Sequence, residues 1–440
     1  MMQKQLCSVL ETTKQGSESH SQEWIETSIW TGNMLNALGN GVKGGKWFSL
    51  IDKVYSLKTL DIAWRRVKSN KGSAGIDKVS IEKFEHKAQI YLEELALSLK
   101  EQRYNPQPVK RVYIPKAGGK KRPLGIPVVK DRIVQTAIKM VIEPIFENEF
   151  LDNSYGFRPN RGCKDALREV DYLLKDGYTW VVDADLESYF DTIPHSNLMR
   201  LLEEKISDQS LLNLIHKYLK QNIIDGVKNW IPIAGTPQGA VLSPLLANIY
   251  LHPMDVMLTK LGLKVVRYAD DFVILSKTEQ EAKMALGKVK EWIDEFGLTL
   301  HPDKTHIGNA SIKGQGFEFL GYRFEAGKRF VRKKSLQSFR DKVRAKTKRS
   351  RSGSIEEIIA DLNPMLMGWF EYFKHAYKTT FNSNDGFVRR RLRAILLKRN
   401  NKKKCFGRNL NAHKQYPNTY FANLNLFTSN EVWVKAYQSR

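Results

Sequence analysis

Cysteine is scarce in this 440-residue chain: there are three, Cys7, Cys163 and Cys405, odd in number and far apart. That excludes a disulfide framework and a CxxC zinc site, and the three are read as reduced thiols. Long apolar runs are missing too. No stretch approaches the roughly eighteen residues of a membrane span, and the opening MMQKQLCSVLETTKQGSESHSQ lacks the charged start and apolar centre of a secretory signal. No membrane partner is expected, and the cytoplasm is the default location. Acidic residues are in deficit, 47 Asp plus Glu against 71 Lys plus Arg, for a formal net charge of +24. Residues 326 to 440 hold 27 Lys plus Arg against 7 Asp plus Glu, so +20 of the +24 lies there. Self-repulsion at that density costs stability unless something neutralises it, so a polyanion is the natural partner. The basic residues fall in several clusters along folded segments, which disfavours an acidic membrane surface.

What is present is ample for sizeable cores, with 42% hydrophobic and 10% aromatic residues in a length that suits two or three domains. Residues 1 to about 50 are polar, with Trp24 and Trp30 as isolated anchors, and give no function. Helical spacing follows to about 103, and then VKRVYIP, AGGK and KKRPLGIP read as a hairpin with a basic tip. WVVDADLESYF starts as a strand and breaks. In TPQGAVLSPLLANIYL a Pro-Gly loop leads into a helix that Ser243 and Pro244 would open as cap and first-turn pair. GFEFLGYRFE is strand-like, KKSLQSFRDKVRAKTKRSRSGS is basic and partly linker-like, and LNPMLMGWFEYFKHAY and GFVRRRLRAILLKR are helical. Strands alternate with helices to about 324 and helices follow, which predicts an α+β body and a basic helical module.

The chemistry centres on VVRYADDFVILS, residues 265 to 276, where Asp270 and Asp271 sit between two apolar runs. A rigid hairpin that holds two carboxylates at its turn must recruit cations. Hard divalent ions suit the place: Mg²⁺ takes a few carboxylates plus substrate phosphates, and two ions about 3.5–4 Å apart serve phosphoryl transfer. A third carboxylate from VVDADLESYF would complete the set, with Asp185 nearer the break than Asp183. Two acids at a hairpin turn are also ordinary turn formers.

In combination these blocks resemble the reverse transcriptases encoded by bacterial group II introns, the intron maturases, over about residues 50 to 440. YADD at 268 to 271 resembles the two-aspartate palm motif, and DADLESYFD at 183 to 191 its first-aspartate motif. The resemblance implies a right-hand polymerase with fingers, palm and thumb, an antiparallel palm sheet and a helical basic C-terminal maturase domain. It makes Asp185, Asp270 and Asp271 catalytic and ligands of two Mg²⁺ ions, with Mn²⁺ as a substitute, adds the Leu186 carbonyl to the metal shell and leaves Asp183 outside it. Phe190 matches the steric gate, a ring that would collide with a 2′-hydroxyl. Lys116 and Arg122 of the hairpin match the triphosphate holders, with Lys110 at a further basic position. Gln238 and Gly239 stand closest to the nucleotide, although the chain reads QGAVLSP where many relatives read QGGPLSP. Lys304 is the candidate proton donor to pyrophosphate. Arg158 and Arg161 are implied template contacts, and Arg389, Arg390, Arg391 and Arg393 belong to the implied RNA-binding surface of the thumb, or domain X.

The resemblance divides the chain into an N-terminal extension of unknown role (1–50), fingers and palm (51–324), thumb and domain X (325–395) and a short basic DNA-binding-like segment (396–440). Without Cys pairs or a His-Asn-His cluster there, an HNH nuclease is not expected. The implied function is an RNA-directed DNA polymerase that also binds its intron RNA to assist splicing and retromobility. Its partners would be group II intron RNA, an RNA template with a DNA primer, deoxynucleoside triphosphates and target DNA. Three other readings use the same residues: a reverse transcriptase domesticated for repair or phage defence, an RNA-binding maturase without polymerase activity, and an RNA-dependent RNA polymerase, which Phe190 disfavours. Oligomeric state, intron subclass and DNA target are not encoded legibly.

Overall fold

The computed structural model describes residues 24–42, 44–115, 121–400, 407 and 410–438. Two compact units divide the chain, one comprising residues up to Tyr178 with Val182–Ile307, the other Thr179–Val181 with Gly308–Arg440.

In the first unit, the expected basic hairpin forms from β1 (Val109–Pro115) and β2 (Lys121–Ile126), antiparallel with Lys110 opposite Ile126 and Pro115 opposite Lys121. The short strands β4 (Ile223–Asp225) and β5 (Lys228–Trp230) extend it into a sheet of order β2-β1-β4-β5, with β4 parallel to β1. A second sheet contains β3 (Trp180–Asp185), β6 (Lys264–Tyr268), β7 (Asp271–Ser276) and β8 (His306–Asn309), in the order β6-β7-β3-β8. Its middle strands β7 and β3 carry apolar runs because both faces are covered: Val182, Val273 and Ile274 are fully buried. The β6–β7 pair is antiparallel, with Tyr268 opposite Asp271, so Ala269 and Asp270 form a two-residue turn. Of the N-terminal stretch, unreadable from sequence, Trp30 is buried in this unit and its Nε1 donates to the Met140 carbonyl at 3.1 Å.

Two helices of this unit bear on the site, Val129–Glu147 and Ser243–Lys260, the second packed against β6. The second differs from expectation at its start. Leu242 is the cap residue, and Ser243, already inside the helix, donates its hydroxyl to the Pro237 carbonyl at 2.8 Å, tying the helix to the preceding loop. In the first helix Gln135 accepts from the amides of Val241 and Leu242, at 2.9 and 3.4 Å, so it steadies the same loop.

Asp131, in the first turn of Val129–Glu147, is wholly buried and accepts from Tyr104 Oη (2.6 Å), the Gln107 amide (3.0 Å), Gln221 Nε2 (3.0 Å) and Tyr218 Oη (3.3 Å). Desolvation outweighs these four donors and raises its carboxyl to about 6. A folded-state value above the unfolded one favours the folded chain at low pH, and that contribution is lost as pH rises from about 4 to about 6. The expected loss is on the order of 2–3 kcal/mol, and Asp131→Asn should remove that slope from urea unfolding measured at pH 4.5 and 7. Equal slopes in both proteins would contradict the assignment.

In the second unit the strand-like run at 317–325 is a hairpin, β9 (Phe317–Phe319) with β10 (Tyr322–Glu325), continued antiparallel by β11 (Lys328–Val331). Leu320 and Gly321 both take positive φ, 47° and 83°, which a tight two-residue turn between twisted strands requires. The stretch expected to be partly linker is helical over Lys333–Lys346, because Phe339 and Val343 reach the core beside Ile358, Leu362 and Phe421. Ser354 and Glu357 cap the helix Ile355–Phe373 reciprocally, and Thr379–Arg399 follows. Among the described residues, no helix is long and apolar enough to cross a membrane.

Candidate active site

The acids converge where β3 ends beside the β6–β7 turn. Burial pushes the Asp270 carboxyl up, and the Asp185 charge pushes it further; Arg122 and Lys304 pull it back. Asp185, Arg122 and Lys304 are therefore each within electrostatic reach of Asp270. Lys304 Nζ lies 2.6 Å from Asp185 Oδ2, and the Asp185 carbonyl accepts from the His301 amide at 2.7 Å, which pins the strand end. Asp271 opens β7, and Leu186 bridges Leu300 one residue beyond Asp185. Asp183 lies on β3 with the His306 ring 4.0 Å from its carboxylate.

The turn is held from behind by residues that sequence reasoning missed. Arg267 and Asp255 are both 0% exposed, with Arg267 Nε 2.9 and 3.0 Å from the two carboxylate oxygens. Nη1 of the same arginine donates to the Ala269 carbonyl at 3.0 Å, inside the YADD turn, and to Asn248 Oδ1 at 2.9 Å. Ala269 needs the restraint, since its φ of 59° is a left-handed conformation that alanine disfavours. The NSYGFRP block lies against this edge: the Arg267 amide donates to the Asn153 carbonyl and the Tyr155 amide to the Arg267 carbonyl, each at 2.8 Å. Gly156 closes the contact, because a Cβ there would fall 2.3 Å from the Ala269 amide nitrogen.

That packing settles how Arg158 is used. Its side chain is buried, Nε is 3.0 Å from both Glu147 oxygens, and Nη1 donates to the Ser154 carbonyl at 2.8 Å. The expected template contact would have to break this network, so Arg158 is better assigned to bracing the block. Arg161 keeps partial exposure, stacked 5.9 Å over Tyr155 and paired with Asp152.

The expected nucleotide side is built by the first sheet and the Pro-Gln-Gly loop. Arg122 Nε donates to Gln238 Oε1 at 2.8 Å, and the Gly125 amide donates to the Gln238 carbonyl at 2.6 Å. Gly239 has φ of 104°, and a Cβ there would meet the Gly125 carbonyl oxygen at 2.5 Å, so strand and loop touch backbone to backbone. Lys110 is exposed on β1, and Lys116 lies outside the described residues. Phe190 sits in the short helix Tyr189–Thr192, buried, edge-on to Tyr189 with ring centres 5.5 Å apart. The break after β3 comes from Ser188, which takes a left-handed φ of 49°.

In the second unit the four expected RNA-binding arginines divide. Arg393 is buried, donating to the Tyr416 carbonyl and to Asn418 Oδ1, each at 2.7 Å, so contact with RNA does not suit it. Arg391 Nε donates to Thr347 Oγ1 at 3.1 Å. Arg389 and Arg390 remain partly exposed. Around Arg390 a cluster emerges that the sequence did not single out: Arg390, Arg344 and Arg340 lie 5.2, 5.5 and 5.8 Å from the centre of the Phe387 ring. Desolvation lowers the Arg391 pKa, and the like charges of Arg344, Arg390 and Arg349 lower it further.

Among the described residues, no group of three or more His, Cys, Asp or Glu side chains is preassembled as a metal cage. The donors nevertheless fit a hard cation, since Asp185 and Asp270 offer carboxylate oxygens close enough to repel each other, and such ions take their remaining ligands from substrate phosphates and water.

Residues 114–324 match the reverse transcriptase (RNA-dependent DNA polymerase) family, and residues 336–416 match the group II intron maturase-specific domain. Protein YkfC of Escherichia coli (strain K12) is 37% identical over 296 residues, which cover 58% of this chain and 77% of YkfC. The group II intron-encoded protein LtrA of Lactococcus lactis subsp. cremoris is 40% identical over 209 residues, covering 47% of this chain and 34% of LtrA. A putative COX1/OXI3 intron 1 protein of Saccharomyces cerevisiae is 27% identical over 373 residues, covering 72% of this chain and 44% of the relative. The fold is thus of the α+β, right-hand polymerase class, followed by a helical C-terminal domain. The chain belongs to the reverse transcriptase–maturase family of group II introns, whose reverse transcriptases generally use divalent metal ions; its match spans about a third of LtrA.

Proposed function

We propose that this protein is an RNA-directed DNA polymerase that also binds a group II intron RNA as a maturase, assisting splicing and retromobility. The observation that carries the reading is the meeting of Asp185 and Asp270 at neighbouring strand ends, with Arg122 and Lys304 facing them. Asp185, Asp270, Asp271 and the Leu186 carbonyl would hold two Mg²⁺ ions, or Mn²⁺ in their place. Bound there, the ions would lower the pKa of a primer 3′-hydroxyl and offset charge on the triphosphate. Arg122, with Lys116 and Lys110, draws the triphosphate to the fingers by charge and fork-like donation. Phe190 excludes a 2′-hydroxyl by bulk, and Gln238 and Gly239 shape the wall beside the nucleotide. Lys304, carrying a proton beside Asp185, is placed to give it to the departing pyrophosphate. Deoxynucleotide addition to a primer annealed on an RNA template tests the reading; a purified chain that adds none would overturn it.

For the RNA, residues 325–395 serve as thumb and domain X, residues 396–440 as a short basic DNA-binding-like segment, and the cytoplasm as the place of action. The Arg340, Arg344 and Arg390 cluster is the surface best suited to phosphates, because nearby like charges are relieved when a polyanion binds. Changing all three to glutamine should lower the slope of log affinity against log salt by roughly 2 to 3 for a structured intron RNA, with the melting temperature held. An unchanged slope would remove the cluster from the interface.

A further inference from the structure

A chain of three side chains runs from the fingers hairpin to the floor of the nucleotide pocket. Its first link is Arg122 Nε to Gln238 Oε1 at 2.8 Å; its second is Gln238 Nε2 to Asp191 Oδ2 at 3.2 Å. Asp191 directly follows Phe190, and its own backbone is clamped. Its amide donates to the Ser188 carbonyl at 2.7 Å, and Gly235, at φ of 89°, presses so closely that a Cβ would lie 2.7 Å from the Asp191 carbonyl carbon. The neighbouring backbone is tied in the same way, Thr236 amide to Phe190 carbonyl at 2.6 Å and Gly235 amide to Ile193 carbonyl at 2.8 Å.

The chemistry of an amide gives this chain a direction. Gln238 presents an acceptor at one end and a donor at the other, and a flip would turn its NH₂ toward the guanidinium, donor against donor. An ionised carboxylate accepts only, so Asp191 selects the orientation in which Oε1 faces Arg122. Arg111 and Arg122 both lower the Asp191 pKa, against the desolvation that raises it, which places both cations of the fingers sheet close to this acid. Arg122 is thereby tethered through Nε alone. Its terminal nitrogens donate to no group among the described residues.

We infer that Asp191 is a positioning residue for the incoming nucleotide: by fixing the Gln238 amide it aims the Arg122 fork at the triphosphate and couples that aim to the backbone carrying Phe190. The inference rests on the polymerase reading and goes beyond it, since Asp191 touches neither the primer nor the metal-binding acids in that scheme.

Two measurements on the full chain test it: affinity for a deoxynucleoside triphosphate in Ca²⁺ with annealed primer-template, and single-nucleotide extension in Mg²⁺. Asp191→Ala should weaken triphosphate affinity and raise KM by about 10-fold while kcat changes by less than about 3-fold. Asp191→Asn keeps an acceptor and should return both to within about 3-fold of wild type. Gln238→Ala should act like Asp191→Ala, and the double variant should be no worse than Gln238→Ala alone. An unchanged affinity in Asp191→Ala, no rescue by asparagine, or additive losses in the double variant would each overturn the inference. A wild-type chain that binds the triphosphate yet never extends a primer would sink the polymerase reading, while the affinity series still decides on Asp191. A wild type that binds no triphosphate overturns both.

Discussion

Asp270→Ala should give a folded protein whose rate of deoxynucleotide addition falls by more than about 1,000-fold, equivalent to more than about 4 kcal/mol of lost transition-state stabilisation. The side chain sits in a two-residue turn between paired strands, within electrostatic reach of Asp185, so its place at the site is fixed by the backbone. Its removal also takes away one of the three carboxylates proposed to hold divalent ions, the one that Arg122 and Lys304 both reach. Folding should not suffer. Burial and the Asp185 charge both raise the Asp270 pKa, so the folded state bears a cost for this carboxylate that alanine relieves. Single-turnover primer extension on an RNA template, run beside a thermal melt, separates the two effects. Retained activity above a few per cent of wild type, with the melt unchanged, would show that the chemistry does not depend on this acid.

The second large effect is on stability. Arg267→Ala should destabilise the first unit by about 3–5 kcal/mol, because it strands the Asp255 charge in an interior with no water to receive it. Asp255→Ala should cost a similar amount by stranding the guanidinium. Replacing both at once by apolar residues of similar volume, Met at 267 and Leu at 255, should recover much of the stability, since a buried ion pair repays its desolvation poorly. Activity should not return with it. The hydrogen bond from Arg267 to the Ala269 carbonyl would still be missing, and a turn strained at Ala269 would lose its main restraint. Urea unfolding of the four proteins, with primer extension on the double variant, checks both halves. Single variants within about 1 kcal/mol of wild type, or a fully active double variant, would contradict this division between stability and turn geometry.

The acids were legible because charge inside an apolar run is costly and therefore informative, and the β1–β2 hairpin because its turn residues and alternation agree. Arg267 carried the same kind of signal and was passed over: it too is a charge within a buried strand, between Val266 and Tyr268. Its partners were readable in retrospect, since Asn248 and Asp255 lie seven residues apart on one helix and so share a face. What no local pattern could give was which helix face meets which strand. The arginines make the same point from the other side. Arg158 and Arg393 look in sequence like the exposed basic residues around them, and only the carbonyls and carboxylate that surround them in the fold mark them as internal braces. Asp191 sat inside a quoted motif, yet its role depends on a glutamine 47 positions later.

The contact between Gly156 and Ala269 has a consequence for how this site would look to genetic dissection. One hydrogen atom is all the space allows at position 156, and its neighbour is main chain that cannot yield as a flexible side chain would. A mutational map of activity would therefore score Gly156 alongside the acids proposed to hold metal, although it carries no functional group. Loss of function there would be mechanical, a displaced turn in an otherwise intact fold.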